Sequence, residues 1–204
     1  MAQIRDNVRL AVSRHAARLF LERGVRGTSG DDIAAAAGLS TRTLWRYFRN
    51  KESCVEPLFA DSALRFTTNL REWPRNLAIE DYLQLRFELE GRTPEEIADD
   101  IVADRLIAIM ADEPALRAAW LMSAQVAEEG LIEIIADRLE RSVKDAEVRL
   151  CAATVTAAIR VLSETISIAT VRHGQTFTRD DIIDRLGRAI RAASTLPICD
   201  PVVS

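Results

Sequence analysis

The residue types best suited to chemistry are concentrated in one short segment, residues 41–47, which reads TRTLWRY. The segment combines hydroxyl groups, guanidinium groups and aromatic rings, and such side chains can bond phosphate oxygens or read base edges in a duplex. It is too polar to lie in a protein core. We therefore expect an exposed helix that contacts DNA.

Charge is distributed unevenly along the chain. The net charge of the whole chain is −4, which by itself argues weakly against a nucleic-acid partner. Residues 1–55, however, hold ten Lys and Arg against five Asp and Glu, so this segment carries +5 and the remainder carries −9. Because lysine and arginine displace the counterions of phosphates, this pattern predicts that only the N-terminal segment meets DNA. Chance clustering of surface arginines is the alternative.

An all-α enzyme is the main alternative, and a cluster of carboxylates is its best support. The cluster consists of Glu95, Glu96, Asp99, Asp100 and Asp104. A predicted helix starts just before these acids, and the helix dipole together with solvation explains them without catalysis. The sequence has no Glu-x-x-His motif beside them, and neither of its two histidines has a nucleophile nearby. We predict no catalytic residue, no metal site and no cofactor.

A helical adaptor that binds only protein is a third class. It would leave the basic side chains of Arg42, Arg46 and Lys51 unexplained. Salt dependence distinguishes a DNA-binding protein from such an adaptor, because DNA binding weakens steeply with added salt and binding through apolar faces does not.

Composition and cysteine usage are typical of a cytoplasmic protein. Apolar residues make up 48% of the chain and charged residues 28%. The sequence has no run near the ~18 consecutive apolar residues of a membrane span, and its N-terminus has no signal pattern. Cys54, Cys151 and Cys199 are odd in number and far apart, which argues against a disulfide framework or a zinc site. We expect a cytoplasmic protein with no membrane partner.

Apolar residues recur at helical spacing along nearly the whole chain, and β-strand alternation is almost absent. The sequence therefore predicts an all-α fold of about nine helices. The predicted helices cover residues 3–23, 30–37, 41–48, 51–73, 79–88, 94–111, 114–139, 142–172 and 178–193. Gly130 lies inside the seventh helix, where glycine costs roughly 1 kcal/mol relative to alanine. We expect a kink or a break there.

Residues 28–51, TSGDDIAAAAGLSTRTLWRYFRNK, have the pattern of a helix-turn-helix. Ser29 lies three residues before Asp32, which is typical of a helix N-cap. Gly38 then supplies a tight turn, and Ser40 caps the second helix of the motif.

The run from residue 16 to residue 51 resembles the N-terminal signature of TetR (tetracycline-repressor) family transcriptional regulators. The positions that carry the resemblance are Ala16, Phe20, Gly24, Thr28, Ile33, Ala34, Ala37, Gly38, Leu39, Ser40, Thr43, Leu44, Tyr47, Phe48 and Lys51. The resemblance implies a DNA-binding domain at residues 1–50 and a helical effector-binding and dimerisation domain at residues 51–204. It also implies a repressor that leaves a palindromic operator when a small effector binds.

The same resemblance implies which residues would contact DNA. They are Ser29, Gly30, Ser40, Thr41, Arg42, Thr43, Trp45, Arg46, Tyr47 and Lys51. Lys51 would meet a phosphate, and residues of the second helix would face the major groove. Trp45 departs from the family, which commonly has tyrosine there, so an indole N–H replaces a phenolic hydroxyl. Gly30 stands where a larger side chain is common, so its contact would come from the backbone. Packing between helices is the alternative role for Trp45 and Tyr47.

The last two predicted helices have the composition of an association surface: the helix at 142–172 is more apolar than one packed face requires, and the helix at 178–193 carries an apolar stripe. The side chains expected at a dimer interface are Val155, Ile159, Leu162, Ile166, Ile182, Leu186 and Ile190. By resemblance, these two helices would form a four-helix bundle with those of a second subunit. Two-fold symmetry would then place the recognition helices on half-sites about 34–36 Å apart. A larger core within a monomer is the alternative.

Large apolar side chains between the fourth and seventh predicted helices are candidates to line an effector cavity. They are Phe66, Leu70, Trp73, Phe87, Leu106, Met110, Trp120 and Leu121. For each residue, packing in the core is the alternative. A lining of this kind would favour a largely apolar effector.

Overall fold

The computed structural model describes residues 2–86 and 92–202, with side chains described from residue 6 onward. This part of the chain contains nine α-helices and no strand, which confirms the predicted all-α fold. The helices are α1 (Ala2–Arg23), α2 (Gly30–Ala36), α3 (Thr41–Tyr47), α4 (Glu56–Arg71), α5 (Ile79–Arg86), α6 (Pro94–Ile109), α7 (Pro114–Arg138), α8 (Ala146–His173) and α9 (Arg179–Ala193). Short 3-10 turns cover Glu52–Val55 and Met110–Asp112.

Two helices begin later than their periodicity predicts. The helix predicted from residue 51 starts with the 3-10 turn Glu52–Val55, and α4 follows at Glu56. Helix α8 begins at Ala146 rather than at residue 142. The Asp145 carboxylate accepts a hydrogen bond of 2.9 Å from a backbone N–H of the first turn and so caps α8 at that point.

Gly130 does not interrupt α7, which continues unbroken to Arg138. The prediction of a break there is wrong, and the packing of the glycine explains why it is tolerated. A Cβ atom added at Gly130 would lie 2.9 Å from the Cβ of Thr67 on α4. The missing side chain lets α7 approach α4 closely, and this contact offsets the low helix propensity of glycine.

The chain divides into two compact units: residues 1–62 with 93–123, and residues 63–92 with 124–204. The first unit combines the helix-turn-helix region with α6 and the beginning of α7. Its core includes the buried side chains Val12, Phe20, Ile33, Leu44, Leu58, Leu106, Met110 and Leu116.

An ion pair joins α1 to α6 within the first unit. The Arg14 guanidinium donates to both carboxylate oxygens of Asp99 at 2.7–3.0 Å, and Asp99 is only 6% exposed. A second carboxylate, that of Glu95, lies 2.6 Å from the same guanidinium. The hydrogen bond to Asp99 is the main cause of a raised Arg14 pKa. Two members of the acidic cluster thus have a structural role, which is to hold α6 against α1.

A buried arginine organises the second unit. Arg138, at the end of α7, is 3% exposed, and its guanidinium lies 3.6 Å from the centre of the Trp73 ring. The guanidinium donates at 2.8–3.3 Å to the backbone carbonyls of Pro74, Arg75, Leu77, Ile198 and Asp200. Burial lowers the pKa of Arg138. One side chain therefore fastens both the connection between α4 and α5 and the C-terminal segment to α7.

Candidate nucleic-acid interface

A reciprocal cap starts α2 at the edge of the candidate interface. The Ser29 hydroxyl accepts a hydrogen bond of 3.1 Å from the backbone N–H of Asp32, and the Asp32 carboxylate accepts one of 2.8 Å from the backbone N–H of Ser29. The hydrogen bond from the Ser29 hydroxyl is the main cause of a lowered Asp32 pKa. Ser29 is therefore already engaged in fixing the beginning of the helix.

The turn between α2 and α3 follows from one glycine and one serine. Gly38 has φ +66°, a left-handed conformation that side chains other than glycine rarely adopt. Ser40 then caps α3 by accepting a hydrogen bond of 3.2 Å from the backbone N–H of Thr43. These local interactions set the turn as the sequence predicted.

Helix α3 has one buried face and one exposed face. Leu44 is fully buried in the same core cluster as Ile33 and Ala34 of α2, and this packing fixes α3 against α2. Arg42 and Arg46 lie on the exposed side. The Arg46 guanidinium lies 5.2 Å from the centre of the Tyr47 ring, which is partly buried.

The arginines of α3 differ from other arginines of the first unit in their partners. Arg14, Arg23 and Arg49 each form an ion pair with a carboxylate. Within the part of the chain that the structure describes, Arg42 and Arg46 form none. Their charges are therefore available to an anionic partner.

The hydroxyl groups of the candidate interface are bonded within the protein. The Thr41 hydroxyl donates to the Asp31 carboxylate at 2.5 Å, and the Thr43 and Ser40 hydroxyls lie 2.8 Å apart. A Thr41 hydroxyl that donates to Asp31 retains only acceptor capacity, so it must change partners to donate to a phosphate. Sequence reasoning missed the role of Asp31, because the contact joins residues ten positions apart on two helices.

Lys51 connects the end of the motif to the loop between α1 and α2. Its ammonium group donates to the backbone carbonyls of Val25 at 2.6 Å and of Thr28 at 2.9 Å. A lysine ammonium has three N–H donors, and two of them are used here. The predicted contact of Lys51 with phosphate stays a prediction, and the structure adds a second role for the same side chain.

Gly30 and Trp45 meet across the two helices of the motif. An added Cβ atom at Gly30 would lie 2.1 Å from Cζ2 of the Trp45 indole, so the ring rests directly on the glycine. The Trp45 side chain is nevertheless 42% exposed. Trp45 therefore packs between the two helices and remains partly exposed, and its predicted contact with DNA stays a prediction.

Comparison with known proteins identifies two segments of the chain. A family model described as bacterial regulatory proteins of the TetR family matches residues 14–58, and a model of the MftR C-terminal domain matches residues 92–193, which is half of the chain. The chain belongs to the TetR family. The first match contains the helix-turn-helix built by α2 and α3, so this TetR-family chain is a transcriptional regulator with a DNA-binding N-terminal motif.

Individual relatives agree with the family. The HTH-type transcriptional repressor KstR2 of Rhodococcus jostii (strain RHA1) is 49% identical over 43 residues, which span 21% of each chain. A TetR-family transcriptional regulator from Rhodococcus sp. shares the fold with a TM-score of 0.56 and 22% identity, over 96% of this chain and 100% of that one. FadR from Bacillus subtilis, solved in complex with stearoyl-CoA, has a TM-score of 0.50 and 18% identity over 91% and 97% of the two chains.

The residues predicted for the TetR-type dimer interface fall into two groups. Val155, Leu186 and Ile190 are buried in the core of the second unit, so their side chains serve packing within the protomer. The four others are partly exposed, namely Ile159, Leu162, Ile166 and Ile182. Because a side chain covered by its own protomer has little surface to offer a partner, only this second group fits an interface.

Helix α8 also presents apolar side chains that sequence reasoning did not select for the interface. Leu150 is 57% exposed, Val161 52% and Val171 41%, and they recur along the helix at intervals compatible with one outward stripe. By length and composition alone the helix could cross a membrane, a property that it shares with core helices of soluble proteins. Only 22% of its most apolar 18-residue stretch is buried. We refer to Leu150, Val161 and Val171 as the α8 stripe.

The residues predicted to line an effector cavity are divided between the two units. Leu106, Met110 and Trp120 are buried in the core of the first unit, and Leu121 is 44% exposed. Phe66, Leu70 and Trp73 belong to the second unit, and Phe87 lies outside the described residues.

A cleft of about 300 Å³ lies in the second unit. Its lining consists of Leu70, Arg71, Trp73, Arg75, Glu133, Ile134, Asp137 and Arg138. The lining is more polar than the predicted cavity. Arg71 and Glu133 form an ion pair of 2.6 Å at this cleft, so these two charges neutralise each other.

The described side chains also bear on metal chemistry. Among them, we find no group of three or more His, Cys, Asp or Glu arranged to hold a metal ion. The three cysteines are buried and unpaired, and burial is the main cause that raises the pKa of Cys54 to about 12. Its thiol is therefore neutral and a weak nucleophile at physiological pH.

Proposed function

We propose that this TetR-family regulator is a repressor that binds a palindromic operator as a homodimer and leaves it when a small, largely apolar effector binds. In this proposal residues 1–50 bind DNA, residues 51–204 bind the effector and dimerise, and the protein acts in the cytoplasm without a catalytic role. The observation that carries the proposal is the pair of exposed arginines on α3, Arg42 and Arg46, which lack carboxylate partners in the described part of the chain.

The arginine pair suits base and phosphate contact for two reasons. Arg42 and Arg46 lie one helical turn apart and so project from the same side of α3. Leu44, by contrast, is fully buried and anchors the opposite side of the helix. A rigid helix that presents unpaired guanidinium groups provides the bidentate donors that guanine and phosphate accept.

The decisive experiment is selection of duplexes bound by the full chain from fragmented genomic DNA, followed by titration of the selected duplex. We expect a palindromic site and an affinity that falls steeply between about 50 and 200 mM salt. Arg42→Ala should cost about 1–3 kcal/mol of binding free energy and relax base preference at particular positions. Arg71→Ala is the matched control, since Arg71 is an exposed arginine that is paired with Glu133 in the second unit. Equal binding of all duplexes, or equal losses for both variants, would overturn the proposal.

The α8 stripe supports the dimer part of the proposal. Leu150, Val161 and Val171 each expose an apolar side chain along one helix, and apolar surface left exposed in this way is typical of association sites. Val161→Glu should yield a monomer in light scattering and weaken operator binding, because two half-sites are then no longer linked. Arg149→Glu, a change at an exposed polar position of the same helix, is the control. A dimer that survives Val161→Glu would remove the stripe from the interface.

The effector part of the proposal has fold-level support. A structure with this fold, FadR from Bacillus subtilis, was solved in complex with stearoyl-CoA. A ligand releases DNA only if it binds the DNA-free conformation more tightly than the DNA-bound one. If long-chain acyl compounds are the effectors of this protein, their addition should lower its affinity for the operator. Operator binding that is unchanged by a panel of apolar ligands would count against this class.

A further inference from the structure

Gly30 and Trp45 form a contact that is specific to the pairing of these two residues. An added Cβ atom at Gly30 would lie 2.1 Å from Cζ2, 2.6 Å from Cη2 and 3.2 Å from Cε2 of the Trp45 indole. All three atoms belong to the six-membered ring. That ring therefore occupies the space where any other amino acid at position 30 would place its side chain.

The glycine is not required by the backbone at this position. Gly30 is the first residue of α2, and the positive φ values of the described chain lie elsewhere, at Gly24, Gly38, Glu140 and Gly174. Alanine also has a higher helix propensity than glycine. The three atoms nearest to an added Cβ at position 30 all belong to the indole of Trp45, which is therefore the main obstacle to a side chain there.

The indole contacts Gly30 through Cε2, Cζ2 and Cη2, and the residue is partly exposed. Trp45 is 42% exposed, and among the described residues its N–H has no hydrogen-bond partner. It also lies next to Arg46, whose charge is unpaired there. Trp45 therefore carries an N–H donor without a partner in the described part of the protein, beside an arginine whose charge is available.

We propose that Gly30 is a positioning residue that acts on DNA binding through Trp45: its missing side chain seats the indole so that the N–H donates to an acceptor on the duplex. This inference rests on the proposed DNA-binding function. It assigns to Gly30 an indirect role, whereas a backbone contact would make its effect independent of the residue at position 45.

The test is a double-mutant cycle on DNA affinity with Gly30→Ala, Trp45→Ala and the double variant. The probe is a fluorescent duplex recovered with the wild-type protein from a random-sequence pool. We expect each single variant to bind about tenfold or more weakly, which is the effect of losing one hydrogen bond to a charged or polar acceptor. The double variant should bind no more weakly than Trp45→Ala alone. Ala35→Ser, at an exposed position of the same helix, is the matched control and should bind like wild type.

Tryptophan fluorescence gives a readout without DNA. Trp73 and Trp120 are 9% and 8% exposed, so quenching by neutral acrylamide reports mainly on Trp45. Gly30→Ala should increase acrylamide quenching, because the displaced ring moves into solvent, while the melting temperature stays at or above that of wild type. The increase should be absent from the double variant.

The outcomes separate this inference from the proposed function. If the wild-type protein binds no duplex, both fall. If wild type binds a duplex, either of two results overturns this inference alone. In the first, Gly30→Ala binds as tightly as wild type. In the second, Gly30→Ala weakens binding further in the Trp45→Ala background. If selection with Gly30→Ala returns altered base preferences, the acceptor lies on a base. If it returns the same preferences with weaker binding, the acceptor lies on the backbone of the duplex.

Discussion

Replacement of Arg138 by methionine should destabilise the second unit strongly. Methionine keeps much of the apolar volume against Trp73 but removes every donor of the guanidinium group. Of the five carbonyls that Arg138 bonds, three have another donor: those of Pro74, Arg75 and Leu77. The carbonyls of Ile198 and Asp200 have Arg138 as their only donor among the described residues.

The magnitude follows mainly from the carbonyl of Ile198, which is a buried residue, because Asp200 is exposed and its carbonyl can bond water instead. An acceptor left without a partner in a buried site costs about 1–3 kcal/mol, and the cation–π contact adds roughly 1 kcal/mol. Removal of the buried charge offsets part of this cost, because burial disfavours the Arg138 cation and lowers its pKa. We therefore expect Arg138→Met to lower the free energy of unfolding by about 2–4 kcal/mol. This is a large share of the ~5–15 kcal/mol of a typical domain.

Urea denaturation at equal protein concentration measures this change, and hydrogen exchange locates it. The amides of Ile198 and Val202 bond to backbone carbonyls, and they should lose protection earlier than the amides of α1. Arg71→Met is the control, because this exposed ion pair with Glu133 should contribute less than about 1 kcal/mol. A loss below about 1 kcal/mol for Arg138→Met would refute the reasoning from unsatisfied carbonyls.

Three further changes test other contacts. Lys51→Met should weaken binding to all duplexes and reduce the slope of log affinity against log salt by about one unit. It should also lower the free energy of unfolding by about 1–2 kcal/mol, because the loop carbonyls of Val25 and Thr28 lose this donor. An unchanged salt slope would assign the side chain to these carbonyls alone. Gly130→Val should cost about 1–3 kcal/mol of unfolding free energy in a thermal melt, because its side chain would collide with Thr67, and a neutral effect would show that α7 can shift. The Glu80 carboxylate accepts a hydrogen bond from Arg191, which lowers the pKa of Glu80 from its ordinary value near 4.5. The contribution of this pair to stability is therefore complete above about pH 4.5 and is lost as the pH falls through the lowered pKa. Glu80→Gln should therefore reduce the acid sensitivity of unfolding measured between about pH 5 and 3, and an unchanged pH profile would contradict this.

Sequence reasoning succeeded where the determining interactions are local. The periodicity of apolar residues predicted the helices, and the caps at Ser29 and Ser40 formed as expected because a cap joins residues three positions apart. The start of α8 was missed because Asp145 competes with Ser142 as a cap, and composition does not rank the two.

The parts that sequence reasoning missed depend on contacts between helices. Three contacts of this kind join separate elements: that of Trp45 with Gly30, the hydrogen bond from Thr41 to Asp31, and the hydrogen bonds from Lys51 to loop carbonyls. Gly30, Thr41, Trp45 and Lys51 were selected from the resemblance as DNA contacts. Their neighbours within the protein follow from tertiary packing that a one-dimensional pattern does not encode. The apolar cavity was hard to predict for a related reason: side chains that pack in a core and side chains that line a pocket recur at the same helical spacing.

The composition of the first unit has a consequence for attempts to transplant the DNA-binding helices. Side chains of residues 103–120 belong to the same buried cluster as Val12 and Phe20, and Asp99 satisfies the guanidinium of Arg14. A fragment excised at residue 50 would expose this apolar surface to water and leave Arg14 without its buried carboxylate. A chimaera that borrows the operator preference of this protein should therefore carry residues 93–123 along with the N-terminal helices.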